Sequence, residues 1–281
     1  MKLLAFDTST ETLSVAVAHG GGLWQHTGAG GAQASATLIP TVLALLAQAG
    51  LTLADLDAIV FGRGPGAFTG LRTACAVAQG LAYGARGGLG VPVLPVDTLL
   101  AVAEQARGLW AQAHAFDATG AAATGAAATD DPLARSAPCD VIALLDARMD
   151  QVYAAHYRYH PSHPSIAAGS GGTTGGASPA PQGAPRWTRL GDIQLLAPEA
   201  VLRPEGAWLA GNAFAAYGPR LPGGPRIDAL PTATALLRLA PALLAAGGAV
   251  PAEQALPLYV RDNVAKTTAE RAAERAAILQ Q

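Results

Sequence analysis

Two aspartates close apolar runs in this chain. Asp7 follows Leu3-Leu4-Ala5-Phe6, and Asp146 follows Val141 to Leu145. Each is succeeded by a polar turn, Thr8-Ser9-Thr10 in one case and Ala147 to Asp150 in the other. An apolar strand then returns, Leu13 to Ala18 or Val152 to Tyr157. A carboxylate at a hairpin tip can cap its own turn, or it can hold a cation bound to phosphates. Between the hairpins lies DAIVFGRGPGAFTGLR, residues 57–72. Its apolar run stops at Gly62, and a loop follows with Arg63, Gly64, Pro65, Gly66, Thr69 and Gly70. Glycine is placed where the backbone needs positive φ or very close approach to another group. A strand entering a helix through such a loop aims free amides at whatever lies above the helix start. The spacing is neither GxGxxG nor GxxxxGK[ST], which excludes the dinucleotide and Walker fingerprints.

Hydrolytic and metal chemistry find less support. The one HxxxH run, His156 to His160, falls in strand-like sequence. Residues four apart on a strand are separated by about 13 Å and cannot share a metal. His160 and His163 flank prolines, and His19, His26 and His114 are scattered. No Ser-His-Asp or Cys-His set can be assembled from spacing. The expectation is a chain with no catalytic residue and no metal site. Cys75 and Cys139 are far apart in apolar settings, which fits a reducing compartment rather than a disulfide framework.

These motifs sit on an α/β frame. The chain has 281 residues, 14% of them charged, with a formal net charge of −2. That argues against a broad basic surface gripping nucleic acid unaided. The N-terminal apolar stretch is too short for a signal-peptide core. The run at 235–250 is interrupted by Arg238, Pro241, Gly247 and Gly248, so no membrane span is expected there. A cytoplasmic protein is the expectation. Further strands are read at Trp24 to Gly28, Val91 to Pro95 and Trp208 to Gly211, with Gly211-Asn212 leading into a helical stretch. Helices are read at 37–49, with Pro40 in the first turn, at 71–86 and at 98–113. Two low-complexity stretches, 115–138 and 161–186, read as dispensable surface insertions.

The two Asp-tipped hairpins suggest related halves. With the glycine-rich strand–helix unit they point to the duplicated actin-like (sugar-kinase, ribonuclease H-like) fold. In that fold, two such tips face each other across a nucleotide cleft. The expected domains are 1–108 and 139–230, with 231–281 returning to the first and ending in a solvated helix at Thr267 to Gln281. The phosphate-loop positions are Asp7, Thr8, Ser9, Thr10, Asp146 and Arg148. Kinases of this fold carry DxGxT, whereas Ser9 stands at the glycine position here, and Arg148 and Met149 add bulk to the second tip. A degenerate cleft is therefore expected. An ATP-dependent small-molecule kinase is the alternative.

The helices carry a different signal. The apolar arc of 37–49 exceeds the roughly 100° of an ordinary surface helix. Such a helix is either fully internal or packs against a second body, and Leu38, Val42, Leu45 and Leu46 are assigned to the partner surface. On 71–86, Thr73, Ala76, Gly80 and Gly84 form a face of small residues. Glycine inside a helix costs up to about 1 kcal/mol relative to alanine, so a close helix contact is expected on that face.

FDTSTETLSVAV, FGRGPGAFTGLR, AVAQGLAYG, LLDARMDQVYAAHY and PLYVRDNVA occur here in the order found in one family. The chain resembles the TsaB (YeaZ) group of bacterial tRNA threonylcarbamoyladenosine biosynthesis proteins, within the glycoprotease-like proteins. The resemblance implies the actin-like fold and a non-catalytic accessory subunit. Such a subunit pairs with the catalytic subunit TsaD through the helices at 37–49 and 70–86 and works with the ATPase TsaE. The complex modifies adenosine 37 of tRNAs reading ANN codons, so tRNA is contacted only indirectly. The resemblance implies no cofactor in the isolated chain, room for ATP or ADP at the interface of the complex, and self-association of the lone chain. The sequence departs from its relatives at two places. Gln33-Ala34-Ser35 replaces Arg-His-Ser, and Asp150 replaces a turn glycine.

Overall fold

The computed structural model describes residues 1–88, 90–120, 138–161 and 186–261. Two mixed sheets are built on one plan. In the first, β1 (Leu3–Asp7) pairs antiparallel with β2 (Thr12–His19), which pairs with β3 (Gly22–Ala29). After α1 (Ala34–Gln48), the chain places β4 (Ala58–Gly64) parallel to β1. After α2 (Phe68–Gly84), β5 (Val93–Asp97) lies parallel to β4. The order is β3-β2-β1-β4-β5.

Helix α3 (Thr98–Gly120) leads to the second sheet. There β6 (Cys139–Arg148) and β7 (Gln151–His160) form the hairpin, and β8 (Arg186–Arg189) extends it. The short β9 (Gln194–Leu196) also pairs with β7. Strand β10 (Trp208–Gly211) runs parallel to β6. The short helix α4 (Phe214–Tyr217) follows, and β11 (Arg226–Asp228) lies parallel to β10. The order β8-β7-β6-β10-β11 repeats that of the first sheet strand for strand. Helix α5 (Ala233–Ala245) then packs back on β1 and β2, with the N-terminal cap of its first turn supplied by Thr232 Oγ1.

Alternation along the strands sets the layers. Leu4, Phe6, Ile59 and Phe61 face α1 and α2, whereas Leu3, Ala5, Ala58 and Val60 face α5. In the second sheet Val141, Ala143 and Leu145 face α3, and Ile142 and Leu144 face Val201, Leu209 and Tyr217. Helices α3 and α5 contact each other between the sheets. Glu104 of α3 is the polar joint of that layer. Its carboxylate accepts from Arg107 (2.7 and 2.8 Å), from Arg238 of α5 (2.8 Å) and from Trp187 Nε1 of β8 (3.0 Å).

Several sequence expectations are corrected. Leu38, Val42, Leu45 and Leu46 are buried and pack on the first sheet, so they belong to the core and not to a partner surface. Helix α1 begins at Ala34, which puts Pro40 in its second turn. Helix α3 runs on to Gly120, into the segment read as an insertion from 115. Residues 121–137, 162–185 and 262–281, with the tail helix assigned to 267–281, lie outside the described residues.

Burial pushes the Glu104 carboxyl up, but its bonds and charge interaction with Arg107, and its bonds with Trp187 and Arg238, outweigh that and hold it below the usual carboxylate range. Its stabilisation is therefore present above the unfolded pKa of about 4.3 and is lost as pH falls through the lowered folded value. Glu104→Ala leaves two guanidiniums without their carboxylate and is expected to cost about 3 kcal/mol at neutral pH. Denaturant unfolding at pH 7 and pH 3 checks both the size and its disappearance in acid.

Candidate functional site

The first hairpin turn is shut rather than open. Asp7, Thr8 and Ser9 are buried. Asp7 Oδ1 accepts from Ser9 N (2.9 Å) and Ser9 Oγ (2.6 Å), the Asx arrangement that closes a turn. The glycine-rich loop lies directly on this turn. Thr8 Oγ1 donates to the Gly70 carbonyl (2.7 Å), and Ala67 N donates to the Ser9 carbonyl (2.7 Å). A β-carbon at Gly62 would collide with the Asp7 carboxylate, and one at Gly70 would collide with the Thr8 carbonyl. The glycines are thus required by backbone-to-backbone seating, not by a ligand.

Asp7 and Thr8, read as positions of a degenerate phosphate loop, are enclosed by the glycine-rich loop and do not line the cleft. Ser9 reaches the cleft only at its edge. Thr10 does line the cleft, and its Oγ1 accepts from Thr12 N (3.2 Å). The rest of the loop is structural as well. Arg63 bonds Asp97 (Nε, 2.7 Å), and Asp97 in turn holds Arg189 of the second sheet (2.7 Å). Gly64 N donates to Thr98 Oγ1 (3.0 Å), the Gly64–Pro65 peptide is cis, and Gly66 packs on Ser9. The Thr69 carbonyl accepts from Thr73 Oγ1 (3.0 Å).

The second tip is also occupied by its own side chains. Asp146 accepts from Arg148 N (2.8 Å) and Tyr217 Oη (3.0 Å), and its own amide donates to Asn212 Oδ1 (2.9 Å). Arg148, Met149 and Asp150 all have positive φ, at 60°, 54° and 59°. Glycine adopts such angles at little cost, so three non-glycine residues in a row make this a strained turn. Arg148 crosses to Glu11 of the first hairpin (3.2 Å) and so ties the two tips together.

Between the tips a cleft of about 610 Å³ remains. One wall is a strap, residues 255–261, which contains the start of the PLYVRDNVA motif and whose place beside the cleft its sequence, lacking periodicity, did not indicate. Cys75 Sγ and Gln79 Nε2 donate to the Ala255 carbonyl (2.9 and 3.1 Å), and Leu258 N donates to the Arg63 carbonyl (2.7 Å). Arg261 then reaches the Ala147 carbonyl (3.0 Å) on the far side. His156 and His160 lie in strand β7, where His156 bonds Asp140 (3.0 Å).

The second surface of interest is on α1 and α2. Ile39, Leu43 and Ala47 of α1 are exposed, beside Pro40. On α2, Ala76, Gly80 and Gly84 are exposed and Thr73 is half-buried. A β-carbon at Gly80 or Gly84 would meet nothing within 4 Å. The described residues of this chain therefore leave that small-residue face uncovered. An apolar pocket of about 410 Å³ lies at its end, between Leu43, Leu46, Leu51 and Gly84.

Two sheets of one topology, each opening with an Asp-tipped hairpin and meeting at a cleft, define a two-domain protein of the actin-like class. The family model of TsaD, tRNA N6-adenosine threonylcarbamoyltransferase, matches residues 31–118. The tRNA threonylcarbamoyladenosine biosynthesis protein TsaB of Escherichia coli (strain K12) is 30% identical over 94% of this chain and 96% of its own length. The TsaB protein of Haemophilus influenzae is 35% identical over 54% of this chain and 52% of its own. The solved structure of YeaZ from Pseudomonas aeruginosa superposes with a TM-score of 0.65 at 35% identity, covering 92% of this chain and 99% of that one. The chain belongs to the TsaB (YeaZ) family.

Burial pushes the Asp7 carboxyl up to about 6, against the opposing bonds from Ser9, and its Oδ2 is buried without a partner. A carboxyl whose folded pKa is raised stabilises the fold at low pH, and that contribution is lost as pH rises from about 4 through 6. Asp7→Asn removes the penalty of a buried charge, while its amide gains no acceptor. The variant is expected to unfold at higher temperature than the parent at pH 8, by at most about 3 kcal/mol, and to lose that advantage at pH 4. Thermal melts at the two pH values check the sign. Gly70→Ala, which drives a methyl into the Thr8 carbonyl, is expected to destabilise by at least about 1–3 kcal/mol in the same assay.

Proposed function

We propose that this protein acts in making N6-threonylcarbamoyladenosine in tRNA as a non-catalytic accessory subunit, one that binds and orders the catalytic subunit TsaD. The observation that carries the reading is the uncovered face shared by α1 and α2. It combines an apolar stripe at Ile39, Pro40 and Leu43 with the bare helix surface at Ala76, Gly80 and Gly84. The stretch from Gly31 to Gln48 is apolar and long enough to cross a membrane, but Leu38, Val42, Leu45 and Leu46 anchor it in the core. A surface of this kind on a charged-poor protein suits a protein partner.

The TsaD family model matches residues 31–118, which span α1, α2 and nearly all of α3. A partner of the same fold would present equivalent helices, and paired helices of this type bury their stripes against each other in a pseudo-symmetric contact. The closed phosphate-loop turn supports the non-catalytic half of the reading and disfavours the kinase alternative. The ATPase TsaE joins the same complex in this reading, tRNA is met through the assembly, and the protein works in the cytoplasm. Without TsaD, the exposed stripe leads the lone chain to self-associate.

Gly84→Leu tests the interface, since a β-carbon at Gly84 meets no atom of the described residues within 4 Å. Its melting temperature is expected to stay within error of the parent, while affinity for TsaD falls at least about tenfold. Titration calorimetry with purified TsaD gives the answer. Unchanged affinity with an intact fold would remove the face from the interface.

A further inference from the structure

The cleft between the hairpin tips has more charge than its internal contacts use. Three arginines, Arg72, Arg148 and Arg261, line it together with two carboxylates, Glu11 and Asp146. Arg148 takes both carboxylates. Arg72 is left with neutral partners, the Tyr259 hydroxyl (3.2 Å) and the Phe68 ring (3.8 Å to its centre). Arg261 is also left with neutral partners, the Ala147 carbonyl and Met149 Sδ (2.9 Å). Among the described residues neither guanidinium meets a carboxylate. A guanidinium held by neutral acceptors keeps its full charge and its fork of donors, the arrangement that captures phosphate or carboxylate.

The remaining walls are apolar and aromatic. Phe68 and Tyr259 lie with ring centres 5.1 Å apart, and Leu71, Leu145 and Val260 continue the surface. A volume of about 610 Å³ falls within the range of small-molecule sites. The hairpin turns direct the ligand away from a metal–triphosphate. Asp7 is sealed beneath the glycine loop, and the Asp146 carboxylate is taken by Arg148 and Tyr217. A magnesium ion relies on free carboxylates beside phosphate, and neither tip offers one.

We propose that this cleft binds a single anionic group joined to a flat ring, a nucleoside monophosphate or a molecule of like chemistry. The anion lies between Arg72 and Arg261, and the ring rests on Phe68 and Tyr259. The site lies at the N-terminal end of α2 and is distinct from the partner face further along the same helix, so it stands or falls apart from the accessory-subunit reading.

Titration calorimetry of the full chain with adenosine monophosphate, without magnesium, tests this. One saturable site with Kd of about 1 mM or tighter is expected. Adenosine lacking the phosphate should bind at least about tenfold more weakly, and so should the monophosphate to Arg72→Gln or Arg261→Gln. Lys2→Gln, which removes a cation remote from the cleft, should bind as the parent does. Met149→Trp fills the cavity from an exposed position and should abolish binding even if the arginine variants prove unstable. Absence of saturable binding to the parent overturns the proposal. Equal affinity for adenosine, or undiminished binding to Met149→Trp or to a folded Arg72→Gln/Arg261→Gln double variant, does so too.

Discussion

The contact on which the rest of the site depends is the seating of one piece of backbone on another. The glycine-rich loop lies directly on the Asp7–Ser9 turn with no side chain of its own glycines between them, and the bonds from Thr8 Oγ1 to the Gly70 carbonyl and from Ala67 N to the Ser9 carbonyl lock it there. This contact fixes where β4 ends and where α2 begins. It also closes the place where a kinase of this fold would admit phosphate. The cost is a buried carboxylate with an unpartnered oxygen, held by two bonds from Ser9. A buried unpaired acceptor is expensive, and a chain keeps one only where the surrounding geometry leaves no alternative.

Besides the Glu104 joint, three further contacts join the two halves. Arg148 reaches Glu11 across the tips, the strap ties Arg63 and Cys75 to Ala147, and Asp97 shares itself between Arg63 and Arg189. Only the last lies far from the cleft mouth. The ion pair at the tips is exposed at both ends and contributes little by itself. The strap has more rigidity to offer, since its carbonyls and amides are bonded to buried or half-buried groups of α2 and β4. The cleft therefore keeps a defined opening, set mainly by side chains bonded to main-chain groups of the strap and of the second tip.

Much of this was legible in the sequence, and the exceptions have physical causes. Alternation identified both hairpins, and their shared pattern exposed the duplication that the strand orders display. The glycine loop was visible as a place of close approach, but residue types do not say what approaches. A ligand and the neighbouring turn make the same demand on Gly62 and Gly70. The helix at Ala34–Gln48 misled for a related reason. When a helix is apolar nearly all round, periodicity cannot tell the core stripe of Leu38 and Val42 from the exposed stripe of Ile39 and Leu43. Only the position of the sheet decides between them. The strap was visible as the motif PLYVRDNVA but not as a wall of the cleft, because its hold on α2 and β4 comes largely through its own backbone groups, which every residue possesses.

Helix α2 brings these themes together. On its buried side, Ala74, Ala78 and Ala82 let it lie close to the first sheet. On its outer side, Ala76, Gly80 and Gly84 leave it equally thin, and nothing in the described chain uses that thinness. Gly80, inside the helix, costs it up to about 1 kcal/mol relative to alanine, and Gly84 is its last residue. At Gly62 and Gly70 the chain itself requires the missing side chain. At Gly80 and Gly84 it does not, because an alanine there would meet no atom of the described protein. A compensating contact for those glycines is not supplied by the described residues. The helix held in place by Gly70 against Thr8 is then a fixed spacer between the closed turn and whatever surface approaches the bare face.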